Sequence, residues 1–440
     1  MTGTSVTAAD TARAKPGQAG GAAPGAGRSR LDDVGAVLWP PPATASLSRG
    51  ARLFRGHGRD RGRDFVVLPS ARRPRLLVPA GRRASAAAVR RYGEPGSVRA
   101  WAGSRALALA LAAGGASVGL GGRLRVSAGP GTAGPGSAGP GSADPGAGTI
   151  EAYLGSVLGY EVLISTHLGA ARANRKPVLQ LLTPRGESAG FAKVSVNPLT
   201  RDLIRAERAA LDTLAAEDFR ALTVPRVLHY GQWRGREVLV MDALPVWRRR
   251  RALRPGQLTA AMTELTAVGG RSRGPLAGGG YLDRLRSRLE ASPAGPDRAA
   301  LGGALDTLAA AGPELSFGAW HGDWTGWNMA STAAGLLVWD WERFACGVPV
   351  GFDPLHYRLQ SDVVRRRRPP AEAAGACVRD AAACLAPFGV PAGEARLVAV
   401  LYLAELSARY LADRQAEAGA RLGRPGTWLI PALEEAVTTL

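Results

Sequence analysis

Lysine is nearly absent from this chain. Of 56 basic residues only Lys15, Lys176 and Lys193 are lysines, and the rest are arginine. With 58 glycines and 31 prolines in 440 residues, this is the bias of a GC-rich coding sequence. The net charge of +20 therefore does not by itself mark a nucleic-acid partner. Cysteine is limited to Cys346, Cys377 and Cys384, an odd and sparse set that excludes a disulfide framework. They are expected as small hydrophobes in a reducing, cytoplasmic compartment. Long apolar runs are missing too. The longest uncharged one, 106–122, contains five glycines and is too short for a membrane span, and a buried helix with a loop is expected there. The first residues contain no apolar core of a signal peptide. What the chain does have is 46% hydrophobic residues, enough for a real core.

The composition changes along the chain. Residues 1–30 are rich in Ala, Gly and Pro and are expected as a disordered tail. Residues 129–148 repeat a Gly-Pro-Gly-Ser-Ala-like unit and are expected as a linker. Between them, 31–128 is expected as a small α/β accessory module of no assigned role. Its short strands fall at Phe65–Leu68, Arg75–Val78 and Leu124–Ser127, and its helices at Ala84–Tyr92 and Ser104–Ala113. The charge is concentrated here: residues 1–150 hold 21 basic and 7 acidic side chains. Beyond the linker, apolar patterning predicts strands at Tyr160–Thr166, Pro177–Thr183 and Gly190–Val196. A helix over Leu199–Ala216 and strands at Pro225–Tyr230 and Arg236–Met241 follow. That makes a five-stranded antiparallel lobe with one helix, over 149–244. Residues 245–440 are expected to be mostly helical, continuously so from about 255 to 315.

One constellation carries chemistry. Residues 320–328 read W-H-G-D-W-T-G-W-N, and 336–342 read L-L-V-W-D-W-E. With 5 histidines in the chain, a chance His-x-Asp-x4-Asn is expected about 0.0015 times. Asp340 closes an apolar strand 17 residues after Asp323. Phosphoryl transfer is mostly positioning and charge neutralisation. One carboxylate must accept or orient the proton of a hydroxyl, while a second carboxylate and an amide oxygen hold Mg²⁺. Asp323 suits the first role, Asp340 and Asn328 the second, and His321 would organise the loop. The bland alternative is an Asx-capped turn and a strand-terminal aspartate.

This pattern resembles the aminoglycoside phosphotransferase and choline kinase group, small-molecule kinases with a protein-kinase-like fold. Protein kinases themselves, with H-R-D and D-F-G at these places, match less well. The resemblance spans about 150–440 and is strongest over 318–355. It implies an α+β bilobal domain, Mg²⁺ and ATP (or GTP) as cofactors, and transfer of a γ-phosphoryl group to a small-molecule hydroxyl. It further implies that Lys193, in Phe191–Val194, binds nucleotide phosphates. Glu207 is its expected helix partner, with Asp202, Asp212 and Glu217 as rivals. Gly169 and Asn174 fit loosely as the phosphate-covering hairpin, which has no G-x-G-x-x-G. Met241 and Ala243 fall where the interlobe hinge would meet adenine. Gly351–Pro354 resembles the structural aspartate segment that follows the metal strand.

Other features have plainer readings. Trp320, Trp324, Trp327, Trp339 and Trp341 are expected mainly as core around the loop, with an aromatic wall for the acceptor as the alternative. A metal role and a structural one are weighed equally for Glu342. The arginine runs 248–251 and 365–368 are expected as solvated loops. The Arg-rich stretch 247–254 favours a neutral or anionic acceptor over a polycationic one. Two rival functions stand beside the kinase: a pseudokinase that binds nucleotide without transfer, and a basic nucleic-acid-binding protein. The complete Lys/Asp/Asn/Asp set argues against the first, and the lack of a nucleic-acid motif against the second.

Overall fold

The computed structural model describes residues 30–48, 62–91, 98–114, 121–127, 148–169, 173–246, 251–333, 335–418 and 422–440. All but the last residue of the expected tail, all but the last residue of the expected linker, and Arg248–Arg250 therefore lie outside the described residues.

The first part runs α1 (Arg30–Leu38), β1 (Thr44–Ser48), β2 (Arg63–Ser70), β3 (Arg73–Pro79), α2 (Arg82–Arg91), α3 (Val98–Ala112) and β4 (Gly122–Ser127). Next come α4 (Ile150–Leu158), β5 (Leu163–His167), β6 (Val178–Leu182), β7 (Ser188–Val194), α5 (Pro198–Leu214), β8 (Leu222–Thr223), β9 (Val227–Trp233) and β10 (Arg236–Met241). The second half holds α6 (Pro255–Thr266), β11 (Ser272–Pro275), α7 (Gly280–Glu290), α8 (Pro296–Ala310), β12 (Glu314–Trp320), β13 (Met329–Ser331), β14 (Leu336–Val338) and β15 (Ala345–Pro349). It ends with α9 (Phe352–Gln360), α10 (Pro370–Arg379), α11 (Ala381–Leu385), α12 (Ala392–Ala412) and α13 (Leu429–Thr438).

The chain is α+β, with an antiparallel sheet lobe followed by a mostly helical one, the bilobal arrangement that the resemblance implies. The sheet is larger than the five strands expected. Its order is β1-β4-β2-β3-β5-β6-β7-β10-β9. The join lies between β3 and β5, where Leu76 faces His167 and Leu77 faces Thr166. The upstream strands thus continue the small lobe's sheet rather than forming a sheet of their own. One buried cluster runs through both parts, from Leu31, Trp39, Phe65 and Val126 to Ile164, Ala192 and Val240. Trp39 donates its indole N–H to both oxygens of buried Glu151 on α4, at 3.1 and 3.0 Å. Sequence patterning could not show this join, because a strand's edge pairing leaves no mark on its own periodicity.

Helix α5 follows from its sequence. Asn197 and Thr200 form a reciprocal capping box and Pro198 occupies the first turn. Leu203, Ile204, Glu207, Ala210, Leu211 and Leu214 make one buried face. Glu207 is therefore a carboxylate placed inside an apolar stripe. The continuous helix expected from 255 to 315 is instead broken by β11, at the glycines and proline of 269–280. β11 pairs with β12, and β12 with β15. A second small sheet, β13-β14-β8, supports the loop before it. α12 is buried along most of its length in the large-lobe core. No single described helix is long and apolar enough to cross a membrane, although α12 and the bent segment before it pass that test as a pair. Cys377 is buried, Cys384 partly so and Cys346 exposed, all with free thiols.

Candidate active site

Two strands and one helix bring the charges together. Lys193 lies on β7, opposite Val178 of β6 and Leu239 of β10. Its ammonium donates to both oxygens of Glu207, at 2.6 Å each, and to Asp340 Oδ1 at 2.5 Å. Of the four candidate partners on and after the helix, Glu207 is the one that reaches Lys193. Trp341 N–H also donates to Glu207, at 3.2 Å. Burial alone would lower the Lys193 pKa, but Asp340, Glu207 and Glu342 outweigh it and hold the ammonium firmly protonated. Burial would raise Asp340, yet Lys193 and Lys176 hold it well below the usual carboxylate range.

Lys176 and Glu342 complete the cluster as an ion pair, each side chain only 6% exposed. Two of the chain's three lysines thus stand in one carboxylate nest. Lys176 was not anticipated, although the scarcity of lysine was a signal that could have found it. The structural role weighed for Glu342 has a concrete form in this pair. Glu207, Asp340 and Glu342 present oxygens within 4.8 Å of one another.

The loop at 321–328 is pinned from three sides. His321 Nδ1 accepts from the Asp323 N–H at 3.1 Å, and Nε2 donates to the Trp339 carbonyl at 3.1 Å. These partners fix the neutral Nε2–H tautomer, and burial pushes the His321 pKa down to about 4. Asp353, in the segment likened to a structural aspartate, accepts from His321 N–H (2.7 Å) and Gly322 N–H (3.2 Å). Burial raises its pKa to about 7. Gly322 has φ +83°, and a Cβ there would lie 2.3 Å from the Arg343 carbonyl oxygen. The glycine of H-G-D is thus required by the close approach of a neighbouring chain segment. Buried Arg409 of α12 donates to the Gly322 carbonyl at 2.5 Å and was not anticipated.

Asp323 has both oxygens engaged. Oδ2 accepts from the Asn328 amide at 2.9 Å, and Oδ1 lies 3.0 Å from His356 Nε2. Burial would raise its pKa, but His356 and the charge of Arg409 hold it lowered. Asn328 N–H₂ also donates to the Asp323 carbonyl at 3.0 Å. The Trp339 N–H donates to the Asn328 carbonyl at 3.0 Å, so Asn328 and Asp340 flank the same hairpin of β13 and β14. Asp340 has φ +75°, a left-handed conformation that costs about 1–3 kcal/mol and needs firm surroundings to persist. Asp323 and Asp340 keep 37% and 33% of their side chains exposed amid buried partners. They are open carboxylates on a closed frame.

Met241 ends β10, and Gly190 beside it has φ +141°, where a Cβ would lie 2.3 Å from the Met241 carbonyl oxygen. Ala243 follows in the chain between the lobes. Gly169 and Asn174 are described, but 170–172 between them lie outside the described residues. Trp320, Trp324 and Trp341 are buried, as core packing requires, while Trp327 is 40% exposed and Trp339 partly buried. In the run 365–368, Arg366 and Arg368 pair with buried Asp362.

Comparison with known proteins agrees with the motif. Three solved structures are among those similar to this chain, all at low identity. One is a thermostable mutant of aminoglycoside phosphotransferase APH(4)-Ia in ternary complex with AMP-PNP and hygromycin B. It is 13% identical over 66% of this chain and 98% of its own, with a TM-score of 0.44. Spectinomycin phosphotransferase APH(9)-Ia, in complex with ADP and spectinomycin, is 12% identical over 64% and 93%, with a TM-score of 0.36. A double mutant of the Mycobacterium tuberculosis PknI kinase domain is 16% identical over 58% and 95%, with a TM-score of 0.25. A search of curated proteins returns no match. Residues 191–350, which run from the Lys193 strand past the Asp340 strand, match the model of the phosphotransferase enzyme family, the family that the His321–Asn328 loop had indicated.

Proposed function

We propose that the chain is a small-molecule kinase, transferring the γ-phosphoryl group of ATP, or GTP, to a hydroxyl. The observation that carries this reading is the joint placement of Lys193 between Glu207 and Asp340, beside a loop that presents Asp323 and Asn328. Asp323, ionised and partly exposed, orients the acceptor hydroxyl and takes its proton. Lys193, held by Glu207, meets the nucleotide phosphates as a point charge. Asp340 and the Asn328 side-chain oxygen are hard oxygen donors on one hairpin and fit Mg²⁺, which would neutralise phosphate charge there. Gly169 and Asn174 would cover the phosphates, and Met241 and Ala243 would face the base of the nucleotide.

The acceptor we favour is neutral or anionic. The Arg251 N–H donates to the Ser331 carbonyl at 3.0 Å, which ties Arg251, after the hinge, to the end of β13. A polycation would meet repulsion there. Three free thiols and the need for ATP suit the cytoplasm. The test is transfer of ³²P from γ-labelled ATP across a panel of polyols, hydroxy acids and aminoglycosides. Label should move to a neutral or anionic acceptor in the native chain and not in Asp323→Asn, which still binds nucleotide. Equal transfer by Asp323→Asn would remove Asp323 from this role.

A further inference from the structure

Histidine is rare in this chain, with five in 440 residues, and two of them flank Asp323. His321 belongs to the loop motif itself. His356 does not. It comes from α9, 33 positions downstream, and is 1% exposed. Its Nε2 lies 3.0 Å from Asp323 Oδ1, and its Nδ1 lies 2.9 Å from the hydroxyl of Tyr402 on α12, itself fully buried. We propose that His356, held between Asp323 and the Tyr402 hydroxyl, is a positioning residue that aims the Asp323 carboxylate at the acceptor hydroxyl. This deepens the kinase reading and rests on its assignment of Asp323 as the base.

Ionised Asp323 can only accept hydrogen bonds, so His356 Nε2 must carry the proton that bridges them. Neutral His356 then has its lone pair on Nδ1, and the Tyr402 O–H donates to it. The chain of donors runs Tyr402 to His356 to Asp323, from the large-lobe core to the reacting carboxylate. Asn328 holds the other oxygen at 2.9 Å. Two opposed donors fix the plane of the carboxylate, which free rotation about its last bond would otherwise leave broad. A base oriented by a third group is a general device for holding near-attack geometry. Burial disfavours the charged imidazolium, which keeps His356 as a neutral donor rather than a competing acid. His356 is buried and does not open to solvent, so its effect must pass through Asp323.

Two measurements on the full chain test this. The first is the tautomer of His356, read from ¹⁵N–¹H long-range spectra of the imidazoles. The native chain should show Nε2–H for His356, because ionised Asp323 can only accept at that nitrogen, and Tyr402→Phe should keep it. A native Nδ1–H tautomer would overturn the proposal whatever the activity. The second is steady-state kinetics with the acceptor found for the native chain, or with water as acceptor, followed as ADP release. His356→Leu should lower kcat at least tenfold while the KM for ATP stays within about twofold. His356→Gln, which restores an N–H near the Nε2 position, should recover most of the loss. A kcat for His356→Leu within twofold of native, or no recovery in a folded Gln variant, would overturn it. If the native chain binds no nucleotide at all, the kinase reading has failed, and the tautomer result still decides the geometry.

Discussion

Lys193 and Asp340 stand 147 positions apart and meet at 2.5 Å. The contact joins the third strand after the upstream module to the hairpin of the large lobe, so the small lobe's cation is already seated on the large lobe's candidate metal carboxylate. With Glu207 on its other side, the ammonium is shared between a fully buried acid and a partly open one. Such sharing leaves Asp340 partly open while Glu207 is closed off.

Lys193→Met should show how much this nest depends on its cation. Glu207 would be left buried without its charge partner, and removing one member of a buried pair typically costs about 3–5 kcal/mol. Urea unfolding at pH 7 should show a loss of that order, with phosphoryl transfer abolished. Unchanged stability would mean that Glu207 is protonated and the pair carries little.

The upstream module should prove inseparable from the small lobe. A chain beginning at residue 149 would expose the β5 edge that pairs with Leu76 and Leu77, together with the apolar surface under α4. It should aggregate or melt well below the longer chain. A milder probe is Trp39→Phe, which removes the donor to both Glu151 oxygens at a cost of about 1–3 kcal/mol. A stable, monodisperse truncated domain would contradict the shared core.

The neutral state of His321 should make stability depend on pH. Its pKa is depressed to about 4 in the fold. A lowered folded value means that the unfolded chain binds the proton more readily. The stabilisation is therefore complete above about pH 6.5 and is lost as pH falls toward 4, by about 3 kcal/mol. Asp353, raised to about 7, acts with the opposite sign: its contribution is present at low pH and lost as pH rises through 7. The two partly cancel in the native chain. The stability advantage of native over His321→Gln should isolate the first term and shrink between pH 7 and pH 4. A pH-independent difference would contradict the buried neutral imidazole.

Gly322→Ala should be costly out of proportion to its size. The added methyl group meets the Arg343 carbonyl in a left-handed backbone conformation. A loss of about 1–3 kcal/mol is expected, with a larger fall in kcat than in nucleotide affinity, because Asp323 is the next residue. Native kcat in this variant would show that the loop tolerates movement.

Much of this site was legible in the sequence, and for definite reasons. Asp323, Asn328 and Asp340 are set by local spacing along one loop and one hairpin, and a rare motif survives compositional bias. Glu207 was favoured in the sequence but could not be separated from Asp202, Asp212 and Glu217, because the register of α5 against Lys193 is set by packing. His356, Arg409 and Lys176 were missed because they arrive from distant elements, and their partners are fixed by tertiary packing alone. The nine-stranded sheet was missed for a similar reason. The Gly/Pro repeat reads as a boundary, whereas β3 and β5 pair across it with nothing in either strand to announce the partner. β11 was lost in a run of helical composition whose glycines and proline were the available warning.

The most direct measurement is the thermal melt of the native chain and Asp340→Asn, with Mg-ATP, with Mg-GTP, and with each nucleotide in EDTA. Ligand at 100 times its Kd adds about 2.7 kcal/mol to the folded state, several degrees at roughly 2–4 °C per kcal/mol. The account predicts an upward shift that needs Mg²⁺ in the native chain and is lost in Asp340→Asn. A native chain that melts at the same temperature with and without either nucleotide would contradict it.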